Sequence, residues 1–184
     1  MKKLPFSKVD ASAITVRPFV LPKDAQLIYQ WGYHTFGSQA WQGIRTLEEI
    51  MKVFKSIEES DIAQAFIVET EYGMPIFEID LRLANTDPLS TAFQCAADDH
   101  LCAFFFPATG DNVLMQLGLA VCLKYLLLET EGIGRMLMPI YKRETFLEKT
   151  LAAVGFKKIK VSKPAKILSL YAISKDEFLH LSHC

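Results

Sequence analysis

Several classes of protein are excluded by what this 184-residue chain lacks. It has no block of one charge: 20 basic and 21 acidic residues are spread along it for a net charge of −1. No Lys/Arg face interleaved with aromatics appears, so nucleic acid is not an expected partner. The four cysteines, Cys95, Cys102, Cys122 and Cys184, never fall in Cys-x-x-Cys spacing, which argues against a zinc site or a redox pair and for reduced thiols in a cytoplasmic setting. The longest apolar run, Val113 to Leu128, is 16 residues and carries Gln116 and Lys124, too short and too polar for a membrane span. Lys2 and Lys3 are followed by Leu4-Pro5-Phe6-Ser7-Lys8 rather than an apolar stretch, so no signal peptide is expected. No internal repeat, linker or low-complexity segment divides residues 1–184, which read as a single domain burying roughly 70% of its unfolded surface.

What is present alternates between two periodicities. Ala13 to Phe19 suits a first strand, and Leu21-Pro22-Lys23-Asp24 opens a helix carrying Leu27, Ile28 and Trp31. Thr46-Leu47-Glu48-Glu49 has capping-box spacing ahead of the stripe Ile50, Val53, Phe54, Ile57, and predicts a second helix. Ala65 to Glu69 and Pro75 to Leu83 read as strands joined by a Gly73-containing hairpin loop. In the second of these, alternation puts Ile76, Glu78, Asp80 and Arg82 on one face and Phe77, Ile79, Leu81 and Leu83 on the other. Ala84 to Asp99 shows no clear period. Leu101 to Phe106 is a buried strand that leads through Pro107-Ala108-Thr109-Gly110-Asp111-Asn112 into a largely apolar helix running to about Thr130. Gly132 and Gly134 end that helix, and Arg135 to Ile140 is the next strand. Thr145 to Glu148 caps another helix, which Gly155 closes as a left-handed residue. Two strands, Phe156 to Val161 and Ile167 to Ile173, and a short helix capped by Ser174 and Glu177 complete the chain. The mixed order implies an α/β or α+β layered sheet.

A strand that turns into a helix aims unpaired N–H groups at one point, a natural anion site. Gly110, Asp111 and Asn112 are therefore candidate phosphate contacts, with Asp111 unfavourable unless its carboxylate caps the helix and points away. Lys142 and Arg143, after the Arg135–Ile140 strand, are candidates to neutralise phosphates or to begin a solvated helix. His100 has the chemistry of a general base; it reads equally as a histidine at the start of a strand beside two aspartates. Cys102 is either a reactive thiol or an inert core residue. Glu78 and Asp80 either contact a cationic acceptor or line a solvent-facing strand. Trp31 and Trp41 either wall a cleft or pack helices onto the sheet.

The element order, with Trp31, Trp41, Phe77-Glu78-Ile79, Asp98-Asp99-His100-Leu101 and Ala153-Val154-Gly155-Phe156, resembles the GNAT superfamily of acyl-CoA-dependent N-acyltransferases across roughly Ile14 to Tyr171. Among its branches the resemblance is closest to siderophore biosynthesis. It implies an α/β/α fold of three layers, with a mixed central sheet of about seven strands splayed between two of them. It also implies acetyl-CoA or another acyl-CoA as co-substrate, no metal, a small-molecule amine or hydroxylamine as acceptor, and room for a homodimer. On this resemblance Phe105, Phe106 and Pro107 contribute backbone groups to the acyl-CoA, His100 or Glu78 removes a proton, and Trp31, Trp41, Asp80 and Cys102 approach the acceptor. Where many members carry a glycine-rich turn this chain has Gly110 alone; Leu151 takes the place of a tyrosine and Cys102 that of a strand histidine. A GNAT-shaped binding module without catalysis is the alternative expectation.

Overall fold

The computed structural model describes residues 13–31, 35–36, 46–107, 111–141, 145–162, 167 and 169–182, with 35–36 described by backbone alone. The elements follow the periodicities closely. They are β1 (Ile14–Pro18), α1 (Lys23–Trp31), β2 (Thr35–Phe36), α2 (Leu47–Glu58), β3 (Ala63–Thr70), β4 (Pro75–Leu83), β5 (Asp99–Phe105), α3 (Asn112–Lys124), β6 (Arg135–Ile140), α4 (Thr145–Ala153), β7 (Lys157–Ile159), β8 (Ser169–Ser174) and α5 (Lys175–Ser182). Short 3₁₀ turns at Ala84–Thr86 and Pro88–Ala92 occupy the aperiodic stretch, and a wide turn at Tyr125–Glu129 extends α3.

The sheet runs β1-β3-β4-β5-β6-β8-β7, with β5 and β6 its parallel pair and β2 added to β5. Alternation along the strands divides the core. Phe77, Ile79, Leu81, Cys102, Phe104 and Met138 pack with α3 and α4 on one face. Ala103 and Phe105 pack with Ala25 and Ile28 of α1 and Ile50 and Phe54 of α2 on the other. The result is the three-layer α/β/α arrangement of the sequence reading, and its sheet is mixed. Gly118 lets α3 sit close to the sheet: a Cβ there would lie 3.0 Å from Phe77. That contact holds the apolar helix in the protein core, where Leu117, Leu119, Cys122 and Leu123 are buried.

Several predicted stops and starts are realised in their hydrogen bonds, although Thr145, expected to cap α4, is instead its first residue. Thr46 and Glu49 form the reciprocal capping box of α2, and Ser174 and Glu177 that of α5. Gly155 has φ +104°, which a Cβ would strain, and the Phe156 amide bonds back to Leu151. One detail differs: Ile76 packs with Phe77 rather than with Glu78. The ladder shifts register between Val68 and Glu69, so that Val68 faces Phe77 while Glu69 faces Pro75. Such a bulge leaves Ile76 unopposed and turns it to the other face.

The closed end of the β5–β6 pair is held by charge. Arg135 donates through Nε to Asp99 Oδ1 at 2.8 Å and through Nη2 to Asp99 Oδ2, and Nη2 also reaches the Gln94 carbonyl at 2.8 Å. Asp99, only 1% exposed, also accepts the Ala96 amide at 2.8 Å. Removing one partner of such a pair strands the other charge in the interior. Arg135→Leu is expected to lower unfolding free energy by about 3 kcal/mol, measured by urea denaturation near neutral pH.

Candidate functional site: an opened strand pair beside a buried glutamate

β5 and β6 pair only at Asp99–Arg135, His100–Met136 and Leu101–Leu137. Beyond these positions the strands diverge, although β5 continues to Phe105 and β6 to Ile140. The parting is lined by apolar side chains: Phe104, Phe105, Phe106, Met138 and Ile140 are all buried. At its start, the Cys102 thiol donates to the Leu137 carbonyl at 3.2 Å. Burial pushes that thiol well up in pKa, so it stays protonated, buried in the core cluster with Phe77 and Phe104. In this position Cys102 satisfies a carbonyl at the parting rather than facing a substrate.

The edge of β5 exposed by the parting is not wholly free. β2 pairs Thr35 with Phe105 and Phe36 with Phe104, while β4 pairs Glu78 and Ile79 with the same two residues. A strand has two edges, so β2 lies on the one facing β6. Across the parting, the Phe106 ring meets Phe146 of α4 edge-on, with centroids 5.7 Å apart. The backbone groups expected at Phe105 to Pro107 are thus partly engaged by the chain itself.

The helix terminus is engaged as well. Asp111 caps α3, accepting the Val113 amide at 2.7 Å and the Leu114 amide at 3.2 Å. Asp111 thus takes the capping role that the sequence required of it, and in doing so partners two amides of the helix start. Asn112 is the first residue of α3; Gly110, Lys142, Arg143 and Trp41 lie outside the described residues.

The two candidate bases are placed far apart. His100 stands in the closed section of the ladder opposite Leu83, on the α3 side, with Nδ1 3.1 Å from the Asp98 carbonyl. Asp98 precedes the strand rather than sharing its face. Five residues along β5, about 16 Å, separate His100 from Phe105, the partner of Glu78. Glu78 projects from the opposite face, toward α1 and α2, level with the parting. The histidine is therefore at the wrong end and the wrong face of the sheet to act with Glu78 on one substrate.

Glu78 is fully buried, and among the described residues neither of its carboxyl oxygens has a hydrogen-bond partner. Burial, then the charges of Asp80 and Asp24, push its pKa well above the usual carboxylate range; the Phe105 main chain acts in the opposite sense without reaching hydrogen-bond geometry. Asp80 follows two residues on, 7% exposed, between Ala65 of β3 and Ala103 of β5. Arg82 is drawn away to Asp87 at 2.7 Å. Trp31 ends α1 and packs against the cluster around Phe54 and Phe105.

Three side chains went unread in the sequence as parts of a site. Asp24, taken only as part of a helix start, is fully buried and accepts from Arg17 at 2.6 and 2.9 Å and from the Val20 amide at 2.7 Å. Arg17 also donates to Glu69 at 3.1 Å and stands in the cross-strand row Arg17–Ile67–Glu78. No local motif joins positions 17, 24 and 78; their meeting depends on strand register. Tyr171 of β8 faces Met138 and donates to Glu148 of α4 at 2.9 Å, its pKa raised by burial and by that carboxylate.

No family model and no curated protein matches this chain. Solved structures do. Aminoglycoside acetyltransferase AAC(6')-Ib in complex with coenzyme A is similar at TM-score 0.72 and 13% identity, over 92% of this chain and 99% of that one. The dodecameric spermidine N-acetyltransferase of Vibrio cholerae matches at 0.65 and 11%, over 93% and 99%. FdhC, a nucleotide-linked sugar GNAT, matches at 0.63 and 14%, over 92% and 90%. These similarities establish the GNAT fold for nearly the whole chain.

The raised pKa of Glu78 has a consequence for stability. In the unfolded chain its carboxyl ionises above about pH 4, whereas in the folded protein it holds its proton to higher pH. Between those two pKa values the folded state binds more protons, so Glu78 makes the fold progressively less stable as pH rises. Glu78→Gln is expected to gain stability relative to the parent on moving from pH 4 to pH 8, read from denaturation midpoints at both pH values.

Proposed function

We propose that the protein is an acyl-CoA-dependent N-acyltransferase that acylates an amine of a small molecule by direct attack, with Glu78 as general base. The observation that carries this reading is the juxtaposition of a parted parallel strand pair with a buried glutamate, on the neighbouring strand, that has no hydrogen-bond partner among the described residues. A carboxyl held above its ordinary pKa is suited to take a proton near neutral pH, and its position across the ladder from Phe105 sets it level with the parting. Two of the neighbours described above, an aminoglycoside acetyltransferase solved with coenzyme A and a spermidine N-acetyltransferase, support the same chemistry.

In this reading an acceptor ammonium loses a proton to Glu78 and its nitrogen attacks the thioester carbon. The C–S bond then breaks, and the departing thiolate takes one proton while a net proton passes to solvent. Backbone groups at the end of β5 are positioned to polarise the carbonyl once β2 yields that edge. The acidity around Glu78, with Asp24 and Asp80 set against Arg17, favours a cationic acceptor. An amine is preferred over the hydroxylamine of the siderophore branch because that branch's strand histidine is replaced here by Cys102, whose thiol is buried and bonded to Leu137. We place the reaction in the cytoplasm, in keeping with the free thiols of Cys95, Cys102 and Cys122.

One observation favours a second reading. The Asp111 cap and the β2 pairing fill two positions that an acyl-CoA would use, as expected of a GNAT-shaped module that no longer binds it. The two readings separate on CoA binding. Asp111→Asn keeps the cap oxygen while removing the charge, and under the first reading it should tighten CoA severalfold in calorimetry; the binding-module reading predicts no CoA binding by either protein.

Turnover supplies the direct test. Purified protein incubated with acetyl-CoA and a panel of diamines and polyamines is expected to release free CoA. Its kcat/KM should rise with pH through a pKa above the ordinary carboxylate range. Glu78→Gln should lower kcat by at least about 100-fold and abolish that limb; an unchanged profile would remove Glu78 from the mechanism.

A further inference from the structure

Glu78 as base raises a question that its burial makes acute. Acylating an ammonium releases one net proton per turnover, yet Glu78 has no exposed surface and no hydrogen-bond partner among the described residues. A buried base that cannot return its proton to water works once. The chain itself encloses the carboxyl, so a route other than direct contact with solvent must carry the proton away.

The neighbouring strand positions offer one. Asp80 lies on the same face of β4 as Glu78, about 7 Å along the strand. Its cross-strand neighbours are both alanines, Ala65 and Ala103, whereas Glu78 lies between Ile67 and Phe105. The small side chains leave the sheet surface low around Asp80. There it lines a cavity of about 420 Å³ with Lys52, Val53, Ser56, Ile57 and Ala63, beneath α2 and away from the parted strands. Asp80 is thus a carboxylate with one side toward Glu78 and the other on a space that opens at the far end of α2. Pairing of Arg82 with Asp87 keeps that guanidinium engaged at the rim. Among the described residues the other charged groups toward Glu78 are Asp24 of α1, which accepts from Arg17 and the Val20 amide, and Arg17 itself. Neither combines a carboxylate with this cavity.

We propose that Asp80 is a positioning and relay residue for the base: it draws the proton from Glu78 through water in the cavity beneath α2 and returns the base to its ionised form. This rests on the acyltransferase reading above. In each cycle Glu78 gains the proton that the acceptor nitrogen loses, and the same proton then passes by way of Asp80 to solvent, leaving both carboxylates as they began. Substrate enters at the parted strands and the proton leaves at the opposite end of the same sheet face.

The test compares Asp80→Asn with Ala63→Leu, which fills the cavity from β3 while keeping both carboxylates in the chain, in the acetyl-CoA and polyamine assay. Both are expected to lower kcat by about tenfold with KM little changed, and to enlarge the solvent deuterium isotope effect on kcat. Formate should restore Asp80→Asn toward the parent rate and leave Ala63→Leu unrelieved, a pattern that a merely structural defect would not give. If Glu78→Gln abolishes turnover while both cavity variants keep parent kcat and isotope effect, the relay is overturned and the base stands. Turnover that survives Glu78→Gln, or no turnover by the parent protein with any amine, overturns the base and the relay together.

Discussion

The Arg135–Asp99 pair is the constraint on which the rest of the site depends. It joins the first residues of two parallel strands, and its bonds to the Gln94 carbonyl and the Ala96 amide tie the preceding loop to the same point. With that end locked, β5 and β6 share register for three residues and are then free to part. Pro139, which has no N–H to give a ladder, falls in the parted section of β6. The Cys102 thiol occupies the Leu137 carbonyl where the parting begins. Clamp, proline and thiol together make divergence cheap at one end of the pair and costly at the other.

Electrostatics on the α1/α2 face follow from the same geometry. Arg17 is divided between Asp24 and Glu69, while Glu78, in the same cross-strand row, lies under the charges of Asp80 and Asp24. Among the described residues Glu78 has no hydrogen-bond partner, and burial together with the charges of Asp80 and Asp24 raises its pKa. Natural folds retain such a group at a cost to stability, and sites of chemistry are where that cost is commonly found. On the other face of the sheet the groups are satisfied: Asp111 by amides of its own helix, Cys102 by a carbonyl, Tyr171 by Glu148. The contrast between a strained carboxyl on one face and self-satisfied groups on the other directs attention to Glu78.

The chain closes much of its own opening. β2 lies along the parted edge of β5, the Phe106 and Phe146 rings meet across the mouth, and Asp111 fills the start of α3. Each contact is modest. An edge pairing of two residues and a single ring contact are of the order that a ligand with several amides and an acyl chain displaces on binding, through the balance of hydrogen bonds exchanged. The closed arrangement is thus compatible with a site that opens for its ligand, and it explains why the backbone groups foreseen at Phe105 to Pro107 are not simply vacant.

Local periodicity was sufficient for most of the fold. The capping boxes at Thr46 and Ser174, the left-handed Gly155, the Gly73 hairpin and the β4 alternation from Phe77 to Leu83 depend on residues within a few positions of one another, and each is legible in sequence because its physics is local. Legible too was Glu78 as a strand carboxylate beside a candidate opening. What escaped was everything set by register between distant segments: the bulge that turns Ile76, the strand at Thr35–Phe36, the burial of Asp24 under Arg17, and the separation of His100 from Glu78 by both sheet face and strand length. The amino-acid sequence by itself determined the elements, their order and the kinds of side chain each would carry. Only the tertiary structure decided which carboxyl would be stripped of water and partners, because desolvation depends on what the rest of the chain brings to cover it.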